Sequence, residues 1–169
     1  MAQITFITGG QRSGKSTYAQ KVALSLSGSP VYLATARRWD KDFEQRIQRH
    51  QSDRDARWTT LEEEKYLSRL DVSGKVIVLD CITLWLNNFF FDLNFDTDKV
   101  LELAKAEWDN LISQKCTLIV VSNELGMGMH AETETARKFA DLQGWMNQYI
   151  ASGAQKVILM VSGIPLTIK

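Results

Sequence analysis

Cysteine is scarce in this chain: Cys81 and Cys116 are the only two among 169 residues. Neither has companions at metal-ligand spacing, and buried thiols in a reducing cytoplasm are the favoured reading. An excess of positive charge is also missing. Lys and Arg number 20 and Asp and Glu number 20, a formal net charge of zero, which argues against nucleic acid as the main partner. No apolar run approaches the length of a membrane span. The richest, residues 82–91, is interrupted by Thr83, Asn87 and Asn88. The N-terminal residues Met-Ala-Gln lead straight into a strand pattern, with no basic segment before an apolar one, so no secretory signal is expected. Repeats, low-complexity tracts and linkers are absent too. Residues 1–169 read as a single domain, able to bury about two-thirds of its unfolded surface.

What is present begins behind the apolar run Ile4–Thr8. There the chain reads Gly9, Gly10, Gln11, Arg12, Ser13, Gly14, Lys15, Ser16. This is the G-x-x-x-x-G-K-[ST] phosphate loop, placed between a strand and a helix start. Backbone N–H groups of such a turn can wrap phosphate oxygens, and the positive end of the following helix dipole adds to that field. Gly9 and Gly14 permit backbone conformations and close approaches that a Cβ hinders. Lys15 can reach the terminal phosphates, and the Ser16 hydroxyl can ligate the Mg²⁺ that accompanies a nucleoside triphosphate.

Strand patterns recur at Ile4–Thr8, Val31–Ala34, Lys75–Asp80, Thr117–Asn123 and Lys156–Ser162, with little alternation, as in strands covered on both faces. Helix-compatible segments lie between them. Ser16–Ser27 is ended by Gly28, Ser29 and Pro30, and Lys41–Asp53 is polar apart from Phe43 and Ile47. Asp98–Ser113 carries Val100, Leu101, Leu103, Ala104, Trp108, Leu111 and Ile112 on one apolar stripe, and Thr133–Ser152 is closed by Gly153. The alternation predicts an α/β fold with a mostly parallel sheet flanked by helices. Ligands of such sheets gather beyond the carboxyl ends of the strands. The phosphate loop, residues 34–36, residues 80–83 and residues 122–124 are therefore expected to face one cleft.

Asp80 ends the apolar strand Val76–Asp80, where an acid can support Mg²⁺; a plain cap on the following turn is the other reading. In residues 46–54, Arg46, His50 and Arg54 fall at i, i+4 and i+8, with Arg49 beside them, if the segment is helical. Clustered cations would keep His50 neutral and attract phosphate, which suits a histidine forming a covalent phosphoramidate. An incidental histidine on a solvated charged face fits the spacing equally. Glu124 is either a substrate or metal contact or a turn carboxylate, and His130 reads as an exposed loop residue. The aromatic stretch from Trp85 to Phe91 reads as core. On these residues a small-molecule P-loop kinase and a nucleotide-gated binding module both stay open.

The combination of Gly-Gly-Gln-Arg-Ser-Gly-Lys-Ser (9–16), Tyr-Leu-Ala-Thr-Ala (32–36), Arg-Ile-Gln-Arg-His (46–50), Asp-Cys-Ile-Thr-Leu-Trp-Leu-Asn-Asn (80–88), Ser-Asn-Glu-Leu-Gly-Met-Gly (122–128) and Val-Ser-Gly-Ile-Pro-Leu (161–166) resembles the bifunctional adenosylcobinamide kinase/adenosylcobinamide-phosphate guanylyltransferase family of cobalamin biosynthesis, CobU, nearly end to end. The resemblance implies a RecA-like P-loop NTPase fold. It implies phosphorylation of adenosylcobinamide with ATP or GTP, then GMP transfer from GTP to adenosylcobinamide phosphate through a guanylylated histidine, matched by His50. The alternative is a P-loop kinase acting on a different hydroxyl without a covalent histidine. Lys15 joins His50 as catalytic. The family's nucleotide contacts fall on Gly9 through Ser16, on Ala34, Thr35 and Ala36, on Gln51, Ser52, Asp53 and Arg54, and on Glu62 and Asp80. Mg²⁺ falls to Ser16 and Asp80. A homotrimer with nucleotide sites near subunit boundaries is implied as well. One departure is visible at 127–132, Met-Gly-Met-His-Ala-Glu, where relatives often read Met-Gly-Ile-Val-Pro-Glu.

Overall fold

The computed structural model describes residues 1–37 and 54–169. The expected helix at Lys41–Asp53, Trp39, and the candidates His50, Gln51, Ser52 and Asp53 lie outside the described residues. Seven strands follow the chain as β1 (Gln3–Gly9), β2 (Val31–Ala34), β3 (Thr59–Glu62), β4 (Val76–Asp80), β5 (Thr117–Val121), β6 (Lys156–Val161) and β7 (Ile164–Thr167). The helices are α1 (Lys15–Leu26), α2 (Ile82–Asp92), α3 (Thr97–Ser113) and α4 (Glu134–Gly153). The strands form one seven-stranded sheet in the order β3-β2-β4-β5-β1-β6-β7. Every pairing is parallel except the terminal β6–β7 hairpin. This is the α/β, mostly parallel, helix-flanked arrangement expected of a RecA-like fold.

Alternate residues of a strand point to opposite faces, so a strand covered twice must be apolar at nearly every position. On one face Ile7, Val78, Ile119 and Ile158 pack with Ala19 and Ala23 of α1. On the other, Phe6, Leu33, Leu79, Leu118 and Val120 meet Trp85 and Phe89 of α2, Trp108 and Leu111 of α3, and Leu142, Met146 and Ile150 of α4. Each such side chain, fully buried, contributes about 1.5–3 kcal/mol. Small alanines let α1 lie close to the sheet, so the loop that precedes it sits directly over the β1 terminus.

Helix starts are marked by short polar side chains. The Asp96 carboxylate accepts from Lys99 N–H at the head of α3, and the Thr133 hydroxyl accepts from Ala136 N–H at the head of α4. The α3 stripe narrows relative to expectation: Val100, Ala104, Trp108 and Leu111 are buried, whereas Leu103 is 47% exposed. Trp85, Phe89 and Phe90 join the core as expected, but Phe91 stays largely exposed. Cys81 and Cys116 are buried free thiols. No helix among the described residues is long and apolar enough to cross a membrane.

Register fixes what stands at the carboxyl edge. Glu62, Ala34, Asp80, Val121, Ile7 and Ile158 form one row across β3, β2, β4, β5, β1 and β6. Asp80 thereby lies on the α1 face, the face toward which the phosphate loop turns. Trp108→Ala should remove core contacts without touching this edge, costing about 3–5 kcal/mol of unfolding free energy. Urea denaturation followed by circular dichroism measures that loss.

Candidate active site

The phosphate loop is shaped by contacts that leave no room for ordinary side chains. At Gly9 the backbone has φ 151°, and a Cβ there would stand 2.5 Å from the Met160 carbonyl oxygen. Gly14 caps α1 in the left-handed region with φ 91°, and its Cβ would approach Gly163 Cα to 3.2 Å. Arg12, a non-glycine residue, is also left-handed at φ 56°. Three neighbours hold the loop: Glu124 N–H donates to Gly9 O at 3.0 Å, Gly163 N–H to Ser13 O at 2.9 Å, and Tyr18 N–H to Gly14 O at 3.0 Å. The β6–β7 turn and the β5 terminus thus clamp the loop from opposite sides.

Inside the loop Lys15 is only 7% exposed, and its Nζ donates to Gly10 O at 2.6 Å. Burial lowers its pKa; the nearby Cys81 and the Asp80 carboxylate offset part of that shift. Gly10, Gln11 and Arg12 are exposed, and Ser13 is buried. The hydroxyls of Thr8 and Ser13 are buried without hydrogen-bond partners, polar groups that a phosphate can satisfy.

Asp80 is held from β2. The Tyr32 hydroxyl donates to Asp80 Oδ2 at 2.6 Å, and burial, with the Asp80 charge adding, pushes the phenol far above its ordinary range. Arg54 lies over the opposite resource of the same residue, its guanidinium carbon 3.8 Å from the Tyr32 ring centroid. Its Nε and Nη1 are buried without a hydrogen-bond partner. The Thr35 hydroxyl donates to Cys81 O at 2.8 Å and accepts from Cys81 N–H at 3.1 Å. Asn88, fully buried on α2, donates to Thr35 O at 2.8 Å and to Glu64 O at 2.9 Å.

Thr83 Oγ1 accepts from Asn123 N–H and Nδ2 at 3.2 and 3.0 Å. Below it, Ser122, Gln143 and Asn147 form a buried network, with Ser122 Oγ donating to Asn147 Oδ1 at 2.6 Å and Gln143 Nε2 donating to both. The four segments expected to share a cleft are therefore joined by direct hydrogen bonds. Glu62, in register with Ala34, is exposed on edge strand β3 and lines an open cleft with Ala36, Arg37 and residues 63–65. Arg37 there pairs with Glu64 at 2.7 Å and bidentately with Asp92 at 2.8 and 2.9 Å, and Lys65 reaches Asp92 at 2.6 Å. Those two cations draw the Asp92 carboxyl well below its usual range. Glu124 accepts from Gly126 N–H at 2.7 Å, which favours the turn reading, and His130 is exposed.

The donor set fits Mg²⁺. Ser16 and Asp80 offer hard oxygens, and the second Asp80 oxygen makes no hydrogen bond among the described residues. No cluster of three or more His, Cys, Asp or Glu able to hold a metal occurs among them. Sequence patterns alone missed Tyr32 and Gly163 as supports; the tyrosine two residues before Ala34 on a strand was the available signal for the first.

A buried ammonium whose one hydrogen bond goes to a neutral carbonyl, and whose burial outweighs the help of Asp80, favours ligand binding over the stability of the empty fold. Its charge is costly wherever pH is below its lowered pKa, and that cost fades as pH rises from there toward 10.5, where the unfolded lysine also deprotonates. Lys15→Met should leave the ligand-free melting temperature unchanged or raise it by a few degrees, an advantage that shrinks at alkaline pH. Nucleotide affinity should fall at least about tenfold. Calorimetry with and without nucleotide measures both. Gly9→Ala should instead lose stability and affinity together, since the Met160 carbonyl cannot withdraw from the sheet.

Residues 5–168 match the family described as cobinamide kinase / cobinamide phosphate guanyltransferase. The chain is 36% identical over 178 residues to the bifunctional adenosylcobalamin biosynthesis protein CobU of Escherichia coli (strain K12), spanning 96% of this chain and 98% of that one. It is 35% identical over 167 residues to the bifunctional adenosylcobalamin biosynthesis protein CobP of Pseudomonas aeruginosa, spanning 96% and 95%. Among solved structures, the flagellar accessory protein FlaH of Methanocaldococcus jannaschii aligns with 99% of this chain and 78% of its own, at 15% identity and TM-score 0.48, too loose a likeness to bear on function. With a phosphate loop clamped over a strand-end carboxylate and near-complete matches of this kind, the chain belongs to the cobinamide kinase / cobinamide phosphate guanyltransferase family.

Proposed function

We propose that this chain phosphorylates adenosylcobinamide and then guanylylates the product, using one phosphate cradle for both steps. The observation that carries the reading is Lys15, buried in a glycine-shaped loop with its Nζ on the Gly10 carbonyl and the Asp80 carboxylate near enough to favour its charge. In the first step the terminal hydroxyl oxygen of the aminopropanol arm attacks the γ-phosphorus of ATP or GTP. The bond to the β-phosphate oxygen breaks, the nucleoside diphosphate leaves, and the hydroxyl proton passes to solvent. Lys15 and the loop amides of residues 9–16 neutralise the charge that builds on the phosphate oxygens.

In the second step an imidazole nitrogen of His50 attacks the α-phosphorus of GTP and pyrophosphate departs. A phosphate oxygen of adenosylcobinamide phosphate then attacks the guanylyl phosphorus. The P–N bond breaks, giving adenosylcobinamide-GDP and restoring the imidazole. Arg54, four residues beyond His50, supports this reading: its unpartnered Nε and Nη1 are set to receive an anion. Ala34, Thr35, Ala36, Glu62 and residues 51–54 complete the nucleotide contacts by resemblance. Ser16 and Asp80 would hold Mg²⁺, which when bound offsets phosphate charge. The reading extends to one catalytic domain working as a cytoplasmic homotrimer. The exposed Val161, Ile164, Leu166 and Ile168 on and beside β7 favour self-association.

Incubation with GTP labelled at the α-phosphate should yield an acid-labile, protein-bound GMP. His50→Asn should abolish the label while ATP-dependent phosphorylation of adenosylcobinamide persists. Absence of label from the wild type during active GMP transfer would replace the covalent relay with direct displacement. Phosphorylation of an unrelated hydroxyl compound in preference to the corrinoid would favour the simple kinase.

A further inference from the structure

Tyr32 carries no role in the two reactions as described, yet it touches both halves of the site. Its hydroxyl meets Asp80 Oδ2 at 2.6 Å and its ring lies 3.8 Å beneath the Arg54 guanidinium carbon. The residue is 4% exposed, packed edge-on against Trp58 at 6.2 Å between centroids. Its ring is therefore fixed by packing rather than by the two polar contacts, so it can impose geometry on both. A carboxylate with one oxygen held by this hydroxyl loses rotational freedom, and the direction of its second oxygen is biased accordingly.

We infer that Tyr32 is a positioning residue that orients the Asp80 carboxylate toward the metal-nucleotide while serving as the platform for Arg54. The inference rests on the proposed metal-supporting role of Asp80. A phenol is protonated at neutral pH, so the hydroxyl is available as the donor that the 2.6 Å contact requires. The second contact belongs to the ring face alone. Tyr32→Phe thus separates the two functions: it deletes the hydroxyl and keeps the platform. A carboxylate that regains rotation binds a cation less well, and loss of a group that orients a metal ligand typically weakens metal affinity by about ten- to a hundredfold.

The test uses Mn²⁺ as the probe, titrated into the full chain with GTP and read by the loss of its free electron paramagnetic resonance signal. Nucleotide affinity is measured in parallel in EDTA. Tyr32→Phe should weaken Mn²⁺ binding about tenfold and leave the metal-free GTP affinity within about twofold. Tyr32→Leu, which also removes the platform, should weaken the metal-free affinity as well. Asp80→Asn serves as the reference. If Asp80→Asn weakens Mn²⁺ binding and Tyr32→Phe does not, the positioning role is overturned. If Asp80→Asn itself has no effect, the proposed metal role of Asp80 fails, and the inference with it. A general loss of folding would lower both affinities together, so a selective loss of the metal one marks positioning.

Discussion

The closeness of Gly9 to the Met160 carbonyl is the constraint on which the rest of the site depends. A loop that passes within van der Waals range of a neighbouring strand has its path set by that strand, not by its own preferences. Gly163 N–H on one side and Glu124 N–H on the other then hold the loop carbonyls at Ser13 and Gly9. The loop carbonyls of Gly9, Ser13 and Gly14 are thereby occupied by protein donors. An arrangement of this kind has little to reorganise when phosphate arrives, the condition under which fixed dipoles stabilise charge most effectively.

Much of the remaining structure concentrates polar groups at that edge and keeps them satisfied. Thr35, Asn88, Thr83 and Asn123 tie β2, α2 and the β5 terminus together by side-chain hydrogen bonds to backbone. Ser122, Gln143 and Asn147 do so from beneath, where removing one partner would strand the others in a low-dielectric interior. Five residues retain buried side-chain polar atoms without partners: Thr8, Ser13 and Arg54 at the cleft, and Asn88 and Gln143, whose amide oxygens go unused within these networks. Thr8, Ser13 and Arg54 are the ones of these placed to meet an anion, while the clusters beneath are apolar and buried.

Most of this architecture was legible in the chain itself. The phosphate loop has a spacing with a mechanical reason, and β1, β2, β4, β5 and β6 are apolar on both faces, so their patterns and positions agree with expectation. Two edge strands were not legible. β3 is Thr-Thr-Leu-Glu, too short and polar to stand out, and it exists because β2 offers an unpaired edge. β7 contains Pro165, which an outer strand tolerates and a central one does not. The run 82–91 was apolar enough to be core but too uniform to declare itself a helix; α2 forms there with Asn88 turned inward to serve backbone carbonyls. The stacking of Arg54 on Tyr32 joins residues 22 positions apart through tertiary packing, and no local pattern carries it. His50 rests on resemblance, since it lies outside the described residues.

In the proposed mechanism a single clamped phosphate loop supports two chemically different transfers, one at the γ-phosphorus and one at the α-phosphorus. Mass spectrometry of the products formed from adenosylcobinamide and GTP by the purified chain tests this most directly. Accumulation of adenosylcobinamide-GDP with equimolar pyrophosphate is the result it predicts. Adenosylcobinamide phosphate and GDP as the sole products, however long the incubation, would contradict it.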